Sequence, residues 1–145
     1  MSNLENVAEK FLSLLGHIRD NYFKPAEQIT RSRLSPAQFY AISILYRKVS
    51  LTMSELAAEM KISKQQLTPI IAKLIDNHLV IRKTDERDRR IILIAITESG
   101  MSAYKALIAQ IKSNFTEKLS ELSDQELDEL EKTVSRMQEI LKTTK

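Results

Sequence analysis

The amino-acid sequence predicts a mainly α-helical protein with one small β-hairpin. Four hydroxyl residues are each followed three positions later by Glu or Gln, the reciprocal pair that starts many helices. Apolar side chains then recur at spacings of three and four, as on one face of a helix. Only two short stretches, 79–84 and 91–96, have the β-branched composition that is typical of strands.

The predicted elements follow one another without a linker rich in proline or glycine. A first helix carries an apolar stripe from Leu4 to Tyr22, and further helices start at the capping residues. Those capping residues are Ser35, Thr52, Ser63 and Ser123. The hairpin comes after the Ser63 helix, and two long helices with apolar stripes close the chain. We therefore expect one domain over residues 1–145.

Composition excludes several classes of protein. The chain has 145 residues and 43% hydrophobic residues, enough for one core, but no apolar run near the about 20 residues of a membrane span. We expect no membrane association, and the cytoplasm is the expected location because the first residues do not resemble a secretion signal. The absence of cysteine excludes disulfides, cysteine-bound metals and thiol switches.

Charge is distributed unevenly along the chain. The net charge is only +3, but residues 61–90 contain eight basic and four acidic side chains. Residues 117–145 contain eight acidic and five basic side chains. This asymmetry suggests a polyanionic partner for the central segment, with an ordinary solvated surface as the alternative.

Residues 52–78 have the pattern of a helix-turn-helix. Two capping boxes lie eleven residues apart, and the second helix of such a motif enters the DNA major groove. A helical hairpin with a merely solvated polar face is the alternative. Pro69 lies inside the second helix and is expected to bend or loosen its first turns. The side chains expected on the outer face are Ser63, Lys64, Gln65, Gln66, Thr68 and Lys73.

The hairpin extends this motif to a winged helix-turn-helix over residues 35–96. Its loop contains Arg87, Arg89 and Arg90, and arginine is favoured in narrow minor grooves. Asp85 and Asp88 are expected to hold arginine side chains in one rotamer through paired hydrogen bonds. The helices outside this lobe, in residues 1–34 and 97–145, carry stripes longer than the lobe can cover. Dimerisation is therefore expected, although the stripes could instead complete a monomer's core.

The wing resembles that of the MarR family of winged-helix regulators. The family pattern Asp-x-Arg-Asp-x-Arg, an apolar strand and Thr-x-x-Gly is similar to residues 85–100, and Leu-Thr-x-x-Glu-Leu-Ala is similar to 51–57. The resemblance implies a ligand-responsive repressor that binds a pseudo-palindromic operator in double-stranded DNA as a homodimer. It also implies that Arg90 enters the minor groove, that Asp88 braces it, and that residues 63–73, including Pro69, address the major groove.

The resemblance further implies a small aromatic or phenolic effector bound between the dimer helices and the lobe. No other cofactor and no metal is expected. The polar and aromatic side chains that the sequence places near that junction are His17, Tyr22, Arg31, Arg33, Tyr40 and Tyr46.

Two other functions compete with DNA binding. An enzyme is disfavoured because the only histidines, His17 and His78, lie on different predicted elements and show no metal-ligand spacing. A winged helix that binds only other proteins is the remaining alternative, and salt-insensitive binding would favour it.

Overall fold

The structure is a computed structural model that describes residues 2–23 and 34–144. It confirms the predicted fold class, because long helices surround a small antiparallel sheet. The helices are α1 (Asn3–Ile18), α2 (Pro36–Lys48), α3 (Met53–Met60), α4 (Lys64–Asp76), α5 (Glu98–Leu119) and α6 (Asp124–Leu141). A π-helical turn, Arg19–Phe23, continues α1.

Reciprocal capping boxes fix the helix starts where the sequence predicts them. In each box, the hydroxyl of the capping residue accepts a hydrogen bond from the backbone amide three residues later. The side chain of that later residue accepts in return from the backbone amide of the capping residue. The capping residues are Ser35, Thr52, Ser63 and Ser123. Ser2 and Glu5 form a further box at the start of α1, which the sequence analysis did not include. Each box satisfies two backbone amides that a helix start leaves unpaired.

Helix α2 passes through the core of the winged helix-turn-helix. Its side chains Ala41, Ile42, Ile44 and Leu45 are buried and join a single cluster with residues from α3, α4, the sheet and α5. The buried members from α4 are Leu67, Ile71 and Leu74. These three recur every three or four residues, so they define the inward face of α4 and leave the opposite face to solvent.

A left-handed residue makes the turn between α3 and α4. Lys61 has φ 56° and ψ 42°, and the amide of Ile62 then donates to the carbonyl of Ala57. Ser63 resumes extended geometry and caps α4. Helix α4 runs unbroken through Pro69, so the proline does not divide it.

The sheet contains a strand that the sequence analysis missed. Its strands β1 (Ser50–Thr52), β2 (Val80–Thr84) and β3 (Ile92–Ile96) lie in the order β1-β3-β2, all antiparallel. The predicted hairpin is β2 and β3, with Val80 opposite Ile96 and Thr84 opposite Ile92. Strand β1 adds to the other edge of β3, where Leu51 pairs with Ile94. The expectation of a hairpin alone was therefore incomplete, because three residues carry no period-two signal.

Two short connections hold these elements together. Val49 joins α2 to β1 with φ 69° and ψ −52°, and its carbonyl accepts from the amide of Ile96. His78 leaves α4 with φ 61°, a left-handed conformation that histidine accepts more readily than most residues other than glycine.

The terminal helices differ from the lobe in burial. Within the described chain, neither α1 nor α6 contains a buried residue, and α5 buries only Gly100 and Leu107. None of the helices in residues 2–23 and 34–144 is both long enough and apolar enough to cross a membrane.

Candidate nucleic-acid interface

The outward face of α4 is polar and flanked by cations. Gln65, Pro69 and Ala72 lie at positions i, i+4 and i+7, opposite the buried side chains of this helix, and all three are exposed. Lys64 and Lys73 are exposed on the two sides of this row. A helix with this arrangement can present uncharged groups to base edges and ammonium groups to the phosphates on either side of a groove.

Three of the expected reading residues are engaged within their own helix. The Gln66 side-chain oxygen accepts from the Ser63 amide at 3.0 Å, and the Ser63 hydroxyl oxygen accepts from the Gln66 amide at 3.1 Å. The Thr68 hydroxyl donates to the carbonyl of Lys64 at 2.8 Å. Ser63 and Gln66 therefore form the predicted capping box at the start of α4, and their contact with DNA stays a prediction.

The wing loop is shaped by two aspartates. The Asp85 carboxylate accepts from the Arg87 amide at 2.7 Å, and the Asp88 carboxylate accepts from the Arg90 amide at 3.1 Å. Each aspartate thus bonds the backbone two residues on, as in an Asx turn. The amide of Asp85 also donates to the carbonyl of Ile91, which closes the loop.

The predicted pairing of Asp88 with Arg90 is present and bidentate. The Arg90 Nε and Nη2 atoms donate to the two Asp88 carboxylate oxygens, each at 3.0 Å. The side chain of Arg90 is nevertheless 91% exposed. The hydrogen bond from this guanidinium, and then that from the Arg90 amide, lower the pKa of Asp88, while the same pairing raises the pKa of Arg90. The guanidinium is therefore held in one orientation and still accessible from outside.

The residues expected to bind an effector fall into separate groups. The rings of His17 and Tyr22 are 6.5 Å apart, and Tyr22 packs on Phe115 at 5.3 Å. The Tyr46 ring instead lies 4.6 Å from that of Tyr104. Phe115 and Tyr104 are both on α5, so the two groups are about 16 Å apart along that helix.

The two groups lie on different turns of α5, and the expectation that all six residues form one effector site stays a prediction. Tyr40 is 47% exposed, and Arg31 and Arg33 lie outside the described residues. Lys118 was not among the predicted residues, and its ammonium lies 5.9 Å from the centre of the Tyr22 ring. Its spacing of three from Phe115 on a helix was the available signal.

The lobe that carries this interface is similar in sequence to a known protein family. Residues 34–92, which cover the lobe up to the start of β3, match the sequence model of the MarR family. Over this segment the chain is similar to the MarR family. Its relatives are transcriptional regulators and not enzymes.

The relatives include an HTH-type transcriptional repressor, MdtR, of Bacillus subtilis, with 27% identity over 101 residues. That match covers 70% of this chain and 65% of the relative, just under two thirds of its length. The HTH-type transcriptional regulator MhqR of the same species is 26% identical over 70% of both chains. A solved MarR-family protein from Bacillus stearothermophilus superposes with a TM-score of 0.80, covers 98% of this chain and 99% of its own, and is 24% identical. The last likeness shows that the fold extends over nearly the whole chain.

Within the described residues, no group of three or more His, Asp or Glu side chains is placed to hold a metal ion. His17 instead meets Asn21, whose amide nitrogen lies 3.2 Å from its Nδ1 atom. His78 is a turn residue at the end of α4.

Proposed function

We propose that this chain is a sequence-specific regulator that represses transcription by binding double-stranded DNA as a homodimer in the cytoplasm. The observation that carries the proposal is the outward face of α4 together with the braced, exposed Arg90 of the wing. The helix offers uncharged groups between Lys64 and Lys73, which suits the major groove. The wing offers one oriented guanidinium, which suits the adjacent minor groove.

Two copies are needed for a pseudo-palindromic operator, and the terminal helices support this assembly. Leu4, Leu12 and Leu15 of α1 are 78%, 70% and 58% exposed, and Ile140 of α6 is 51% exposed. A groove of about 650 Å³ between α1 and α6 is lined by further apolar side chains, including Phe11 and Met137. A patch of this kind is costly in water, and a second copy of the same helices would cover it. The dimer would place two α4 helices about 34 Å apart, one helical turn of DNA.

The effector site that the geometry favours is at the π-helical turn. Tyr22 offers its ring, Phe115 packs beside it, and Lys118 supplies a cation next to the same ring. These groups can stack on an aromatic carboxylate and balance its charge. Because the π-helical turn and α5 meet here, a bound molecule would change how the terminal helices support the lobe.

Fluorescence anisotropy with labelled duplexes tests the DNA-binding part of the proposal. Log affinity should fall linearly with log salt, by about −0.9 per phosphate contact, and a selected pseudo-palindromic site should exceed random DNA by about 10³-fold. Equal affinity for all sequences, or binding that salt does not weaken, would instead favour the alternative of a protein-binding module.

Sedimentation tests the assembly with a matched pair of variants on α1. Leu15 lies on the exposed apolar stripe, and Ser13 lies on the opposite side of the same helix. Leu15→Asp should dissociate the dimer and lose operator affinity, because the two half-sites are no longer linked. Ser13→Asp should remain dimeric. Removal of residues 123–145 should have the effect of Leu15→Asp, and a dimer that survives both changes would contradict this interface.

The effector part has its own titration. Benzoate should release operator DNA from the wild-type chain, and Tyr22→Ala or Lys118→Ala should raise the benzoate concentration required. Tyr40→Ala is the matched control, since this tyrosine is exposed and lies outside the favoured group. Equal responses in all four proteins would contradict the site at Tyr22.

A further inference from the structure

The centre of the outward face of α4 is an uncharged row made by Gln65, Pro69 and Ala72. All three side chains are exposed and lie on one line along the helix. Pro69 is about 6 Å and Ala72 about 10 Å further along the axis than Gln65. The next residue on the same line is Asp76, whose carboxylate would repel phosphates. The row that can approach DNA is therefore confined to the first two turns and the middle of α4.

Gln65 is the polar side chain of this row that is available to a partner. It makes no side-chain hydrogen bond to any residue in the described parts of the chain, whereas Gln66 and Thr68 are bonded within the helix. A primary amide both donates and accepts, so it can bond the N7 and N6 groups of adenine at once. Neither flanking lysine offers that combination, because an ammonium only donates.

The two other members of the row are apolar. The Pro69 ring and the Ala72 methyl group present carbon atoms to the groove, and the thymine C5-methyl is the apolar group displayed there. Arginine and lysine are the side chains that most often bond guanine, and neither belongs to the row: α4 contains no arginine, and Lys64 and Lys73 lie beside the row. The composition of the row thus matches adenine and thymine, and it lacks the preferred reader of guanine.

We propose that the row of Gln65, Pro69 and Ala72 selects operators with A·T base pairs at the centre of each half-site. Gln65 bonds one adenine, and the methyl groups of neighbouring thymines pack on Pro69 and Ala72. This inference rests on the proposed function of DNA binding. Successive base pairs are about 3.4 Å apart, so the 6 Å from Gln65 to Pro69 corresponds to roughly two steps. Lys64 and Lys73 then contact phosphates and add affinity without sequence preference.

The test uses the full-length dimer and a duplex selected by the wild-type chain from random sequences. Each adenine of a half-site is replaced in turn by 7-deazaadenine, which lacks the N7 acceptor, and each thymine by deoxyuridine, which lacks the methyl group. One adenine replacement should weaken wild-type binding by about 5- to 100-fold. At least one thymine replacement should weaken it by about fourfold.

Variants then assign each loss to a residue. Gln65→Ala should bind the wild-type and the 7-deazaadenine duplexes equally, and Pro69→Gly should become insensitive to one deoxyuridine. Gln110→Ala, at an exposed glutamine of α5, should respond to both replacements as the wild type does. Gln66→Ala should also keep both responses, because its side-chain oxygen is bonded to Ser63.

Two failures are distinguishable in this design. If no duplex is selected and all sequences bind alike, the proposed function fails together with the inference. If a site is selected but every 7-deazaadenine replacement weakens binding by Gln65→Ala as much as binding by the wild type, the inference is overturned while DNA binding stands. The inference is also overturned if the selected centre is G·C and replacement of its guanine by 7-deazaguanine weakens binding in a way that depends on Lys64 or Lys73. DNA binding again stands in that case.

Discussion

The hydroxyl of Thr97 donates a 2.7 Å hydrogen bond to the main-chain carbonyl of His78. The same oxygen accepts from the amide of Gly100 at 2.9 Å, and the Thr97 amide donates to the carbonyl of Leu79. One residue therefore caps α5 and fastens it to the turn by which the chain leaves α4. Any displacement of the first turn of α5 acts directly on the end of the helix that we propose to read DNA.

Thr97→Val should lower the free energy of unfolding by about 1–2 kcal/mol. The change keeps the shape of the side chain but removes both hydrogen bonds of the hydroxyl. Thr97→Ser keeps the hydroxyl and should lower the free energy of unfolding much less. Urea denaturation at one fixed protein concentration measures the difference, and equal stability of the two variants would show that the hydroxyl contributes nothing.

The two glycines of the chain should respond to alanine in opposite directions. A Cβ atom at Gly100 would overlap the carbonyl oxygen of Leu79 and lie 2.8 Å from the Ile96 side chain. At Gly16 the nearest neighbour would be the end of the Arg19 side chain at 3.9 Å. Gly16→Ala should therefore stabilise α1 by about 0.5–1 kcal/mol. Gly100→Ala should destabilise the protein by more than that amount in the same denaturation experiment.

Val49→Gly should raise the free energy of unfolding by about 1 kcal/mol. A β-branched residue with φ 69° is strained, at about 1–3 kcal/mol, which exceeds the about 0.5–1 kcal/mol that glycine adds to the cost of folding. The side chain is 51% exposed, so little burial is lost. Val134→Gly, at an exposed position within α6, should lower stability and is the control. Destabilisation of similar size at both sites would indicate that the Val49 backbone is unstrained.

The wing variants should weaken DNA binding for different reasons. Arg90→Ala should reduce affinity for every sequence and lower the salt slope by about one unit, because one charge leaves the groove. Asp88→Ala should also weaken binding, since an unbraced arginine loses more rotamer freedom on insertion. Arg47→Ala removes the same charge from the end of α2 and should leave the slope unchanged. Tighter binding by Asp88→Ala would show that the aspartate mainly repels DNA.

The pH dependence of the Asp88 pairing follows from the direction of its pKa shift. Because the paired carboxylate has a lowered pKa, the pairing is fully formed above the ordinary pKa and is lost as pH falls through the lowered value. In an NMR titration, Arg90→Ala should return the pKa of Asp88 toward its usual range. The pKa of Glu59 is lowered by a hydrogen bond from Lys48 and should stay lowered in the same variant. A pKa of Asp88 that stays low without Arg90 would refute this cause.

The sequence was sufficient where structure depends on neighbouring residues. These contacts join residues only two or three positions apart, so the residue types at that spacing are enough to predict them. Examples are the capping boxes at Ser35 and Ser63 and the Asp88–Arg90 pair. Strand β1 could not be predicted in this way, because its three residues form a strand only against β3, more than forty positions later.

The candidate effector residues show the same limit. Composition and order place Tyr22 and Tyr46 near one junction. The Tyr22 ring packs on Phe115 and the Tyr46 ring packs on Tyr104, and these two partners lie on different turns of α5. Only the packing of α5 against the rest of the chain decides which rings meet. The role of Gln66 was also ambiguous, since the same amide that can bond adenine can complete a capping box.

Gln65 and Gln66 have different roles, and this difference has an evolutionary consequence. Gln66 and Ser63 set where α4 begins, and neither belongs to the central row of the outward face. Substitutions at Gln65, Pro69 or Ala72 therefore leave the register of the helix, and the core behind it, unaltered. After gene duplication, a copy of this chain could acquire a new operator by single exchanges in that row without passing through an unfolded ancestor. Divergence of DNA targets among such duplicates would then be limited by the DNA sites available to each copy and not by the stability of the protein.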